Sequence, residues 1–339
     1  MACESENPQV IHRGNYAIIC AVKTRCFKKN RTKLNLRRII CFVGKVIGLP
    51  FDILQRVWRV YRWAQYLRHV VKTALKERND AFLLEQSFIA STKSTSWIPF
   101  PYVEVLERKL KWPVVSTVDG FPCVLHDGKR LFFQRKTSLR EAAQTYRNFV
   151  DREGITGHGC LEKNPHNYQS QSHFVETGDV LVDIGCSEAL FSLDNIEKVS
   201  RAFLFEADPG WREPLEKTFG GRFKDKVVIT NKFVGDGVTN SSVRLDEVLC
   251  HDGAAVYFIK MDIEGAERVV LETSREFLMQ HKVKLSCCVY HRQDDAEYIQ
   301  QALEAMGFST AFSDGYMLPI CDELKPPYFR KGVIYARNF

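Results

Sequence analysis

The chain has 339 residues, of which 45% are hydrophobic and 26% charged. That is ordinary globular composition, with length enough for one large domain plus additions. Its net charge of +7 is unevenly distributed, with 17 Lys/Arg against 5 Asp/Glu in residues 1–80 and 31 against 36 in the remainder, so the two regions have different tasks. The 11 scattered cysteines form no C-x-x-C pair and no apolar run reaches the roughly 18 residues of a membrane span, which argues against a disulfide framework, a zinc site and a spanning helix.

Residues 1–50 are polar and basic with short apolar patches, and nothing in them specifies a fold; Met1 to Asn7 carries two acids before any base, unlike a signal peptide. The stretch 39–54 is the most apolar, but Lys45 and Asp52 interrupt it. A long helix is expected over 52–90, with Arg56, Arg59, Arg62, His69, Lys72 and Lys76 on one side and Leu54, Trp58, Tyr61, Leu67, Val71 and Leu75 on the other. Such a basic amphipathic stripe suits a solvated helix face or a peripheral, salt-sensitive contact with an anionic membrane surface. No nucleic-acid-binding motif accompanies the charge. Ser91 to Pro101 has linker composition. Around Asp119-Gly120 and Asp127-Gly128 the sequence alternates apolar and polar residues, as a small β-meander does, and Ser138 and Glu141 have the spacing of a capping box opening a helix to about Glu153.

After a polar stretch at 154–178 the pattern becomes strand–helix alternation. Strands are expected near 179–184, 201–206, 226–232, 256–262, 283–290 and 330–336, and helices near 188–199, 210–219, 264–281 and 294–307. This predicts an α/β fold with a mainly parallel, doubly wound sheet. Three of the strands run into carboxylates: Asp183, Glu206 and Asp262. Acids in phase with strand ends place a ligand cleft at the carboxyl edge of the sheet. A dinucleotide pyrophosphate would need a G-x-G-x-x-G loop, whereas Gly185 is followed by Cys186, Ser187, Glu188, Ala189 and Leu190. One glycine and an acid suit S-adenosylmethionine better, because it carries an ammonium and a sulfonium and no phosphate. Glu206, 23 residues beyond Asp183, is placed to accept ribose hydroxyls from either cofactor.

Over residues 137–337 the sequence resembles the FkbM-type methyltransferases. The resemblance lies in NPHNY at 164–168, DVLVDIGCSEALFSL at 179–193, LFEADPGW at 204–211, VVITNKFVGD at 227–236, RLDEVL at 244–249, FIKMDIEGAE at 258–267, VYHRQDD at 289–295, and GYMLP with PPYFRKGV near the end. It implies a class I Rossmann-like fold that binds S-adenosylmethionine, with Asp183 and Gly185 in the first cofactor motif, Glu206 as the ribose acid, and Asp262 with Glu264 in the acidic motif after the fourth strand. The family usually has a second glycine where this chain has Ala189, a methyl group that bears on the methionine pocket.

The candidate cofactor-binding residues are therefore Asp183, Gly185, Cys186, Ser187, Glu188, Glu206, Asn231 and Asp262. A hydroxyl acceptor needs a place for its proton, and His291, Asp262 and Glu264 are the candidate catalytic residues. Lys260 is expected to pair with a neighbouring acid, His166 and Tyr168 to form a lid or a surface loop, and Cys287 and Cys288 to lie in the core. Asp262, Glu264 and His291 are chemically suited to a divalent metal, although none is expected from so generic a spacing. The expected organisation is a basic extension over 1–95, a meander, helix and lead-in loop over 96–178, and the cofactor-binding domain over 179–339, in a reducing, cytoplasmic setting. The likeness implies O-methylation of a small-molecule or glycan hydroxyl. The alternative is a non-catalytic binding or scaffold protein of the same fold, which Ala189 keeps open.

Overall fold

The computed structural model describes residues 112–152, 164–249, 256–317 and 327–339, and Lys76 singly. The basic helix expected over 52–90, the linker at 91–101 and the start of the polar loop, 154–163, lie outside the described residues.

Val115–Val118 (β1), Phe121–His126 (β2) and Lys129–Phe132 (β3) form an antiparallel meander. Both of its turns are Asp-Gly pairs with positive φ at each residue (52° and 78°, then 46° and 76°), the tight-turn geometry that matches strand twist. Leu139–Arg152 (α1) follows. It opens with the capping box: the Glu141 N–H donates to Ser138 Oγ (3.2 Å) and the Ser138 N–H to Glu141 Oε2 (2.9 Å).

The main sheet is built from Val180–Ile184 (β4), Arg201–Phe205 (β5) and Val227–Thr230 (β6), and continues, after the two-residue pair Phe233–Val234 (β7) and Ser242–Val243 (β8), with Tyr257–Met261 (β9), Val283–Cys288 (β10), Ser309–Phe312 (β11) and Val333–Arg337 (β12). The spatial order is β11-β12-β10-β9-β4-β5-β6. Counting this sheet's strands alone gives 3-2-1-4-5-7-6, with the last strand in sequence inserted antiparallel between its two neighbours and the other pairs parallel. Every residue of β4, β9 and β10 is buried, as central parallel strands covered on both faces require. The two faces follow the period-two alternation. Val180, Val182, Ile259, Leu285 and Ile334 enter one core cluster, and Leu181, Leu204, Phe258, Cys288 and Val333 the other. Cys287 and Cys288 are buried in the core.

Leu190–Asn195 (α2), Arg212–Thr218 (α3) and Leu245–Leu249 (α4) are short. The helix expected over 264–281 is two, Glu267–Thr273 (α5) and Arg275–Gln280 (α6). It starts late because Glu264 (φ 56°) and Gly265 (φ 99°) are left-handed, and it breaks at Ser274. Asp295–Glu304 (α7) stands close to expectation. The strand β11 was not expected; it is a four-residue edge strand of alternating exposure whose apolar pattern is too short to register. No helix of the described residues is long and apolar enough to cross a membrane.

Beneath the sheet, His173 stacks on Tyr335 (centroids 5.0 Å apart) with Nε2 3.1 Å from Ser286 Oγ. That hydroxyl donates to the Tyr168 carbonyl (2.7 Å), so the imidazole is the donor to it. Burial, then Lys284 and Arg337, push the His173 pKa down to about 3. A histidine kept neutral in the fold must lose stability as pH falls below its unfolded value. We expect roughly 2 kcal/mol to be lost from this group between pH 7 and 5. Urea midpoints at the two pH values should show a smaller difference in His173→Gln; an unchanged difference would place the acid sensitivity elsewhere.

Candidate active site

Beyond β4 the chain turns at Gly185, whose N–H donates to the Phe205 carbonyl (2.9 Å), as does that of Cys186 (3.1 Å). Gly185 has φ 77°, and a Cβ there would run into the backbone carbonyl of Asp262 and the side chain of Ile263. The loop after β4 therefore presses against the end of β9, and only glycine permits the contact. Two other residues of this loop, Ser187 (φ 50°) and Ala189 (φ 59°), are left-handed without being glycine. Ala189 is 1% exposed and sits in the core beside α2, and holding an alanine in this left-handed conformation costs about 1–2 kcal/mol.

Glu206, just past β5, accepts from the N–H groups of Ser187 (2.9 Å) and Asp208 (2.8 Å). Burial raises its pKa, against the pull of those two bonds. Asn231, past β6, donates through Nδ2 to the Glu206 carbonyl (3.1 Å). Three adjacent strand ends thus bring Gly185, Ser187, Glu206 and Asn231 to one edge. Glu188, in the same loop, is 3% exposed.

Two candidates are placed differently from expectation. Asp183 lies inside β4 and is 0% exposed; Oδ1 pairs with Lys260 Nζ (3.0 Å) and Oδ2 accepts from Ser192 Oγ (2.6 Å). Both oxygens are committed to the protein, so Asp183 cannot touch a ligand as the sequence suggested. It is a positioning residue: Lys260, the cation paired with it, also donates to the Gly185 carbonyl (2.9 Å) and holds the loop. Cys186 likewise turns its thiol into the core, where burial pushes its pKa well up, and contributes only backbone to the edge.

Asp262, past β9, is the hub of a second group. Its Oδ2 accepts from Tyr168 Oη (2.7 Å) and lies 3.6 Å from His166 Nε2, while Oδ1 lies 3.4 Å from His291 Nε2. Burial pushes its pKa up, but His166, His291 and Lys260 hold it well below the usual carboxylate range. His291 faces three acids, with Nδ1 2.9 Å from Glu267 Oε1 and Nε2 3.7 Å from Glu264 Oε2. Burial works against its charge, yet Glu267, Asp262 and Glu264 push its pKa up to about 9. In this ion-paired state the ring is an imidazolium at neutral pH, so the general base expected of it is unavailable. His166 and Tyr168 are 3% and 1% exposed and so do not lie on a surface loop. Their segment is pinned by Ser313 Oγ to the Pro165 carbonyl (2.6 Å) and by Tyr335 Oη to that of Asn167 (2.8 Å). Sequence reasoning missed Glu267 and Tyr168 as partners of this group. Glu267 lies in the FIKMDIEGAE segment just after β9, and nothing local ties Tyr168 to an acid 94 residues away.

The edge fits S-adenosylmethionine: a loop closed by glycine, a carboxylate fixed by backbone donors, and acids in place of a phosphate cradle. The sheet order is that of the class I, Rossmann-like methyltransferase fold. Residues 125–310 match the methyltransferase FkbM domain, more than half of the chain, and the chain belongs to this family of S-adenosylmethionine-dependent methyltransferases. Among solved structures it is similar to methyltransferase FkbM from Methylobacillus flagellatus KT (20% identity, 58% of this chain and 54% of that one, TM-score 0.41). It is also similar to precorrin-6y C5,15-methyltransferase from Geobacter metallireducens GS-15 (16% identity, 48% and 80%, TM-score 0.34) and to Streptococcus pneumoniae Sp1610 in complex with S-adenosyl-L-methionine (18% identity, 49% and 68%, TM-score 0.34). The chain spans about half the length of the first of these. No curated protein matches the sequence.

Proposed function

We propose that this protein methylates a hydroxyl oxygen of a sugar, lipid-linked or secondary-metabolite acceptor. The observation that carries the assignment is the convergence of Gly185, Glu206 and Asp262 at the ends of three adjacent parallel strands, with the glycine backbone against the Asp262 carbonyl. When bound, S-adenosylmethionine supplies an activated methyl carbon, so that the protein's task is alignment, exclusion of water and disposal of the acceptor's proton. Glu206, an acceptor-only carboxylate with lone pairs beyond those its two N–H donors use, takes the ribose hydroxyls. Ser187, Glu188 and Asn231 complete the cofactor edge. Asp262 stays ionised, braced by Tyr168. Among the acids facing His291, Glu264 is 64% exposed and is the one through which a proton passes to water. Three carboxylates against one imidazolium disfavour an anionic acceptor and favour a neutral, hydroxylated one.

Calorimetric titration with S-adenosylmethionine and S-adenosylhomocysteine, beside NADH, tests this. Both adenosyl ligands should bind and NADH should not. Glu206→Ala should weaken the adenosyl ligands by about 10–100-fold, the value of a hydrogen bond to a charged group. One observation favours a second function, a non-catalytic module of the same fold: Ala189 stands where the backbone calls for glycine. A wild-type protein that binds neither adenosyl ligand would decide for that module.

A further inference from the structure

The carboxyl edge of β9 and β10 holds more ligating groups than methyl transfer requires. One ligand atom each from Asp262, Glu267 and His291 lie within 4.8 Å of one another. The Glu267 side chain is 1% exposed and that of His291 8%. Glu267 Oε1 accepts from the Ile263 N–H (3.1 Å), but Oε2 has no hydrogen-bond partner among the described residues, nor has the buried Oδ1 of Asp262. The two ring nitrogens of His291 are close to carboxylates without making an aligned hydrogen bond to them. Buried polar atoms without an aligned hydrogen bond are unfavourable, and four of them belong to these three side chains. His291 is ion-paired with these acids, yet the buried Glu267 Oε2 keeps no hydrogen-bond partner among the described residues, and the three side chains converge closely enough to share one cation.

We propose that Asp262, Glu267 and His291, with Glu264 at the open side, bind a divalent cation of the Mg2+/Mn2+ class. Carboxylate oxygens with a single imidazole make a hard-to-borderline donor set, without the thiolates that softer metals prefer. Two other clusters do not qualify. In that of His166, Asp262 and Cys288 the thiol is buried and held protonated, and in that of His126, Asp127 and Asp194 both ring nitrogens of His126 are engaged, by Tyr146 (3.0 Å) and Asp194 (3.1 Å). The role of the cation, though not its binding, rests on the proposed function: it takes the acceptor's hydroxyl oxygen as a ligand and acidifies it, and the proton leaves through Glu264 to water.

The test is a titration of the chelator-treated full chain with Mn2+, following free Mn2+ by electron paramagnetic resonance, with S-adenosylhomocysteine calorimetry in parallel. One ion per chain is expected, with affinity lowered at least roughly tenfold in Glu267→Gln and in His291→Ala. The exposed Glu264→Gln, which leaves the core untouched, should give a smaller but measurable loss. S-adenosylhomocysteine binding should persist in Glu267→Gln and reports an intact fold. Absence of Mn2+ binding by the wild type, or affinity unchanged in all three variants, overturns the site. Mn2+ binding without S-adenosylhomocysteine binding would reject the proposed function and keep the site, and the converse would do the opposite.

Discussion

Lys260→Met is expected to destabilise the protein by about 3–5 kcal/mol, the cost of leaving a buried charge without its partner. Asp183 is 0% exposed, and its two protein contacts are the Lys260 ammonium at 3.0 Å and the Ser192 hydroxyl at 2.6 Å. Without Lys260 the buried carboxylate loses its cation, and the Ser192 hydroxyl does not fully compensate for it. The substitution also frees the Gly185 carbonyl, so the cofactor loop loosens as the fold weakens. Urea denaturation gives the direct measurement. The double variant Asp183→Asn with Lys260→Met removes the stranded charge and should recover at least about 1 kcal/mol of the loss. A single-variant loss under about 1 kcal/mol would show that the pair is not the buried anchor described above.

Gly185→Ala should abolish detectable S-adenosylhomocysteine binding. An alanine at φ 77° costs about 1–2 kcal/mol from backbone conformation alone. The larger effect is steric, because the added carbon runs into the Asp262 carbonyl oxygen, a backbone atom just past a central strand that has no rotamer to escape through. Either the loop lifts from β9 or β9 shifts against β4, and both separate Glu206 and Ser187 from Asp262. Circular dichroism distinguishes loss of the site from loss of the fold, and calorimetry measures the binding. An alanine variant that binds the ligand at wild-type strength would mean that the loop is not the cofactor's cradle.

Local chemistry determined much of this protein at the level of sequence. Two Asp-Gly pairs set the turns of the meander, Ser138 and Glu141 set the start of α1, and continuous apolar runs marked the buried parallel strands, because each depends on residues a few positions apart. The FkbM-like motifs and the acids after β5 and β9 were visible for the same reason. What only the tertiary structure decided is which of the candidate side chains are available. Asp183 and Lys260 pair across adjacent strands, Tyr168 and His166 brace Asp262 from a distant loop, and Glu267 turns towards His291 because Glu264 and Gly265 bend left-handed and delay the helix. Burial and protonation depend on neighbours brought together by sheet register across many tens of residues, and no pattern within a strand or helix carries that information.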